Sequence, residues 1–137
     1  MSELLNIAEA VKAEIDAALP SVKAELRLLP EFELKELREL KVVVVPHSIE
    51  YNNLTRGASG KEIKIDIGIL KRTGLDDVPA LLDLVEELAA LFERRKLTKY
   101  PAAICSRITN DPLYSPEHLR QRQQFTSVLV LTFKTLG

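Results

Sequence analysis

Cysteine is almost absent: the chain of 137 residues has one, Cys105. A single thiol closes no internal disulfide and cannot build a Cys-based metal site within one chain. That fits a reducing compartment. Glycine is scarce as well, with five residues at 57, 60, 68, 74 and 137. They spell neither GxGxxG nor GxxxxGK(S/T), so no phosphate-cradling loop is expected. Histidine occurs twice, as His47 and His118. Both stand beside or near a proline and are expected in loops, and they form no HExxH pair or other metal-ligand spacing. No apolar run approaches the ~18 residues of a membrane helix. The start, "MSELLNIAEAVKAEID", carries acids where a secretory leader would carry bases. No catalytic residue, metal site or cofactor is expected, and no membrane partner.

Charge is nearly balanced overall, at −1, but unevenly placed. Residues 1–40 hold nine acids and five bases, residues 41–93 nine and six, and residues 94–137 two and eight. An acidic front and a basic end either mingle on the folded surface, the plainer reading, or attract copies of one chain head to tail. Nucleic-acid binding would need a basic stripe interleaved with aromatics. The candidates are Arg94, Arg95, Lys96, Lys99 and Tyr100, then Arg120 and Arg122, and direct DNA binding is not expected from two such separated groups. The acidic pairs Asp76–Asp77 and Glu86–Glu87 do not converge, because neighbours on a helix point about 100° apart. The first pair reads as a helix cap and the second as a solvated face. Cys105, in "AICSRI", reads as part of an apolar strand core.

What is present is hydrophobic pattern. Leu4, Ile7, Ala8, Val11, Ile15 and Ala18 recur at helical spacing, with Ser2 as cap and Pro20 as stop. Leu81, Leu82, Leu84, Val85, Leu88, Leu91 and Phe92 define a second long helix over 76–95, with Pro79 in its first turn. "VKAELRLL" (22–29) alternates like an edge strand. "PEFELKELREL" is open between a helical turn and a continued strand. "KVVVV" (41–45) reads as a central strand closed by Pro46. In "KEIKIDIGIL", Ile63, Ile65, Ile67 and Ile69 face one way, while Glu62, Lys64, Asp66 and Gly68 face the other. Residues 103–108 form a short strand, and 123–135 a long last one, expected to be covered on both sides. The fold class expected is α+β: a mostly antiparallel sheet of four to five strands, two long helices packed on one face, and a long β-arm or loop over 46–60. All of it falls in one domain, 1–137.

Two stretches remain unassigned to regular structure, 46–60 and 109–122. A loop longer than about 12 residues in a compact domain is usually functional or disordered. "PHSIEYNNLTRGASG" keeps Ile49, Tyr51 and Leu54 among polar residues, which a solvated linker would not need.

The layout of the whole chain resembles small proteins of tailed bacteriophages and prophages that act as tail terminators, tail-completion proteins or head–tail joining (neck) proteins. The likeness runs through "LLNIAEAVKAEIDAAL", "LRLLPEFELKELRELKVVVVP", "TRGASGKEIKIDIGILKR", "LLDLVEELAALF" and "NDPLYSPEHLRQRQQFTSVLVLTFKTL". The resemblance implies an α/β domain that assembles into a ring, often of six copies, without catalysis. It implies the tail tube and the head-completion or connector proteins as partners, and the virion as location after synthesis in the bacterial cytoplasm. In a ring each copy meets its two neighbours through different patches. Ile49, Tyr51, Leu54 and Arg56 are therefore expected at the subunit interface. The competing expectations are a monomeric binding or adaptor domain, and a small-molecule enzyme using His47 or His118.

Overall fold

The computed structural model describes residues 2–28, 37–55, 58–93 and 95–136. The elements follow in the order α1 (Glu3–Ala18), β1 (Glu25–Leu26), β2 (Lys41–Thr55), β3 (Ala58–Arg72), α2 (Val78–Phe92), β4 (Lys96–Leu97), β5 (Tyr100–Thr109), α3 (Pro116–Arg122) and β6 (Gln124–Leu136). The six strands make one sheet ordered β1-β2-β3-β6-β5-β4. All pairings are antiparallel except β1 with β2.

The isoleucine alternation places the core. Ile63, Ile65, Ile67 and Ile69 are fully buried, and their partners on β6 are Phe133, Leu131, Leu129 and Ser127. Val42 and Val44 extend the same face across β2. Onto it pack Ile7, Val11 and Ile15 of α1 and Leu81, Val85, Leu88 and Phe92 of α2. Both long helices thus cover one face, as their amphipathic patterns require. Ser2 caps α1 by accepting from the Leu5 N–H at 3.5 Å, and the helix ends two residues before Pro20.

Six strands and a third short helix exceed the four to five strands and two helices expected. The edge strand expected over 22–29 shrinks to Glu25–Leu26, parallel to Val43 and Val44. The strand expected to stop at Pro46 runs on to Thr55. Proline is tolerated because β2 is the sheet's edge there, where a missing N–H breaks no ladder. A bulge at His47, between Pro46 and Ser48, restores the pairing. The 109–122 stretch contains α3, with Ser115 as its cap, accepting from the His118 N–H at 3.2 Å, and Pro116 at its first position. Asp77 precedes α2 without capping it. Its carboxylate takes the Thr73 hydroxyl and the Lys71 ammonium instead, which hold it below its ordinary pKa.

The other face of the sheet is only partly covered. Leu37, in a 3₁₀ turn, closes a small second cluster with Val43, Val45 and Leu70. Gly68, opposite Val43, makes room for it. A Cβ there would lie 3.0 Å from Val43 Cγ2 and 3.3 Å from Leu70 Cδ1. Of the 30–40 stretch, residues 30–36 lie outside the described residues. Beyond this cluster the face is covered unevenly among the described residues: Thr132 is buried and Val130 half-buried, whereas Val128 is 39% exposed and Ile104 43%. β6 is therefore fully covered on its helix side and only in part on the other, because neither long helix crosses to the outer face.

Candidate functional site

The 46–60 stretch is a hairpin arm and not a loop. Strands β2 and β3 pair from Lys41↔Leu70 to Thr55↔Ala58, with the turn between them outside the described residues. Fifteen residues per strand make the hairpin on the order of 50 Å long. The neighbouring strand β6 accompanies it only as far as Gly60↔Leu136. From there outward the arm is a two-stranded ribbon. Its period-2 signal was present in "SIEYN", with Ile49 and Tyr51 alternating with Ser48, Glu50 and Asn52. It was masked by the polar composition.

The expected interface residues part company. Ile49, opposite Ile63, is half-buried and packs against the chain's own core. Tyr51 is 70% exposed, opposite Lys61, whose ammonium lies 5.8 Å from the ring centroid. Arg56 and the side chain of Leu54 lie outside the described residues.

The base of the ribbon is tied to the body by one carboxylate. Glu3, in the first turn of α1, accepts from the Lys61 ammonium at 2.9 Å and from the Tyr100 hydroxyl. The Tyr100 hydrogen bond, then that of Lys61, holds the Glu3 carboxyl below its ordinary pKa of 4.5, against a smaller opposing effect of burial. The same bond pushes the Tyr100 phenol up. A depressed carboxylate contributes stability that is complete above its unfolded pKa and is lost as pH falls through the lowered folded value. Glu3→Gln is expected to cost about 1 kcal/mol at neutral pH, modest because the pair is partly solvated. Urea unfolding at pH 7 and pH 3 checks it: the gap between parent and variant narrows in acid.

Both outer edges of the sheet carry unpaired backbone among the described residues. At one end, β1 occupies β2 only at Val43 and Val44, with one more bond from Arg27 N to Val44 O. From Pro46 to Thr55 that edge has no strand beside it. At the other end, β4 pairs with Tyr100 and Ile104, and Cys105 N bonds to Arg95 O. From Ser106 to Thr109 β5 has no partner on that side. Unpaired edges of this kind are templates for another strand.

Beside the open part of β5 lies a cleft of about 510 Å³, roofed by α2. Val85, Ile108 and Leu129 give it apolar walls, Ala89 and Ala90 leave it wide, and Glu86 and Arg107 line it with charge. Cys105 also lines it but is 3% exposed, and burial pushes its thiol up, so it is an inert core residue as expected.

The histidines are in regular structure and not in loops. His47, in β2, lies on the outer face with Nδ1 2.9 Å from the Asp66 carboxylate. His118, in α3, has Nδ1 2.9 Å from the Thr126 hydroxyl. Neither lines the cleft. The two basic groups lie apart. Lys96 is held through Ile104 to the Lys134 end of β6, whereas α3 packs near Phe125, about 30 Å along that strand. Glu86 and Glu87 are exposed on α2. Among the described residues no three His, Cys, Asp or Glu side chains group as metal ligands, and no helix is long and apolar enough to cross a membrane. No protein-family model matches the chain, and no curated protein matches it either.

Proposed function

We propose that the chain is a structural subunit that joins copies of itself head to tail into a closed ring, of six copies where it follows the resemblance set out above. One observation carries this: among the described residues the sheet has an open edge at each end, and the two are different surfaces. Unlike surfaces joined by a rotation build rings, whereas a surface that meets itself stops at a dimer. The whole-chain resemblance set out above supports placing the ring at the tail end or head–tail junction of a tailed phage or prophage. There the tail tube and the connector proteins would be its partners, and bond-making chemistry would play no part.

Replacing residues 51–61 by a two-residue Asn-Gly turn joins Glu50 to its partner Glu62, removing the ribbon and Tyr51 while keeping Ile49 opposite Ile63 on the core. The fold is expected to persist, with far-ultraviolet dichroism unchanged, and the assembled mass in light scattering to fall. An assembly of unchanged mass would overturn the role of the arm. The α2/β5 cleft favours a second reading, a monomeric adaptor domain that binds a partner segment there. A mass that stays at one chain at every concentration, with or without tail tubes, would select it.

A further inference from the structure

We propose that the α2/β5 cleft of one copy receives the β2 edge of the next, with Tyr51 of that next copy seated in the cleft. This rests on the head-to-tail assembly proposed above and names the surface that takes the arm.

Strand direction supports the pairing. β2, β3, β6 and β5 alternate in direction across the sheet, so β2 and β5 run opposite ways. A second copy in the same orientation can therefore lay its β2 edge antiparallel to β5, continuing the sheet's own pattern without turning over. Main-chain hydrogen bonds would supply affinity and alternate side chains specificity, as in other strand additions.

The faces also agree. Tyr51 and Ile49 alternate with Glu50, and Ile49 pairs with Ile63 on the helix-covered face. Tyr51 therefore projects on the side of the sheet where the helices lie. The cleft is on that side too, between α2 and β5. Its volume falls in the range of about 300–1,000 Å³ that bound groups fill. Aromatic walls are missing from it, and an exposed aromatic is what the arm offers. Glu86 at the cleft gives the phenol a hydrogen-bond partner.

Charge points the same way on the outer face. One cross-strand row runs Glu50, Glu62, Lys134, Ile104, Lys96, from the β2 edge to the β4 edge. It is acidic at one end and basic at the other. Glu50 directly opposes Glu62, a like-charge pair that destabilises an isolated hairpin. Arg107, exposed and opposite Thr132, occupies the same outer face at the receiving edge. Strand addition brings Glu50 to that edge, where a cation relieves the repulsion.

The chain has no tryptophan, so Tyr51→Trp introduces a lone indole as a reporter. As concentration rises, its emission is expected to shift to the blue and its quenching by acrylamide to fall, in step with the mass from light scattering. Tyr51→Ala is expected to raise the concentration for half-assembly at least about tenfold, as truncating a central aromatic anchor does. Ala90→Arg, at an exposed helical position that arginine tolerates, fills the cleft and is expected to do the same with thermal unfolding unchanged. A mass that rises while the indole stays in water, or an Ala90→Arg chain that assembles like the parent, overturns the cleft as receptor and leaves the ring standing. A mass that never exceeds one chain overturns both.

Discussion

Phe133→Ala is expected to lower the free energy of unfolding by about 4 kcal/mol, within the range of about 3–5 for removing a buried Phe. Phe133 is fully buried near the end of β6, opposite Ile63 on one side and Cys105 on the other. Its ring meets Phe92 of α2 edge-on, with centroids 6.5 Å apart and planes at 89°. The substitution therefore removes burial, opens a cavity that three elements line, and ends an aromatic contact worth roughly 1 kcal/mol beyond its area. A domain of this size is stable by about 5–15 kcal/mol, so the variant should be marginal. Urea unfolding checks it: the midpoint falls and the slope is kept. Val128→Ala, five residues earlier on the same strand but facing outward, is the control. At 39% exposure it should change stability by no more than about 0.5 kcal/mol. A large loss at Val128 would mean that the outer face is covered after all.

Leu37→Ala is expected to cost about 2 kcal/mol, the low end for a buried leucine. Its cluster is small, with Val43, Val45 and Leu70 as the buried neighbours. The cavity left should therefore collapse more readily than one beneath two helices. The loss matters locally, because Leu37 covers the face of β2 that no long helix reaches. Hydrogen exchange is the second readout. Amides of Val43 and Val45 should lose protection in the variant while those of Ile65 and Ile67 keep theirs. Equal loss at all four would show that the two clusters unfold as one unit.

These two sites differ in how legible they were. The Phe133 side of the sheet announced itself through period 2 in "KEIKIDIGIL" and period 3.6 in two helices, because one-sided burial leaves an alternating trace. The Leu37 cluster left none. Four valines in succession say that both faces of β2 are apolar, yet not what covers the second face. Leu34, Leu37 and Leu40, three apart, suited a helical turn and a strand equally; Leu37 is buried in the outer cluster, while Leu40 packs against the main core. The choice between β-arm and loop over 46–60 stayed open for a related reason. Past Ile49 the ribbon outruns the helices, so neither face needs hydrophobic residues, and a strand without a buried face looks like a loop. Pro46 strengthened that impression, since nothing local says that β2 is an edge. The helix α3 carried a readable start in Ser115 and Pro116, outweighed by the turn residues before it.

By themselves, the residues of this chain determined the class of fold, the two long helices, the buried isoleucine face and the inertness of Cys105. Each follows from local periodicity or from the chemistry of a single side chain. Tertiary structure alone decided the strand order, the continuation of β2 through Pro46 and the two open edges. It also placed the cleft beside β5 and the exposed Tyr51 on the face that matches it. These depend on which strands become neighbours, a matter of pairing between residues as far apart in sequence as Gly60 and Leu136, and pairing partners leave no mark on local sequence.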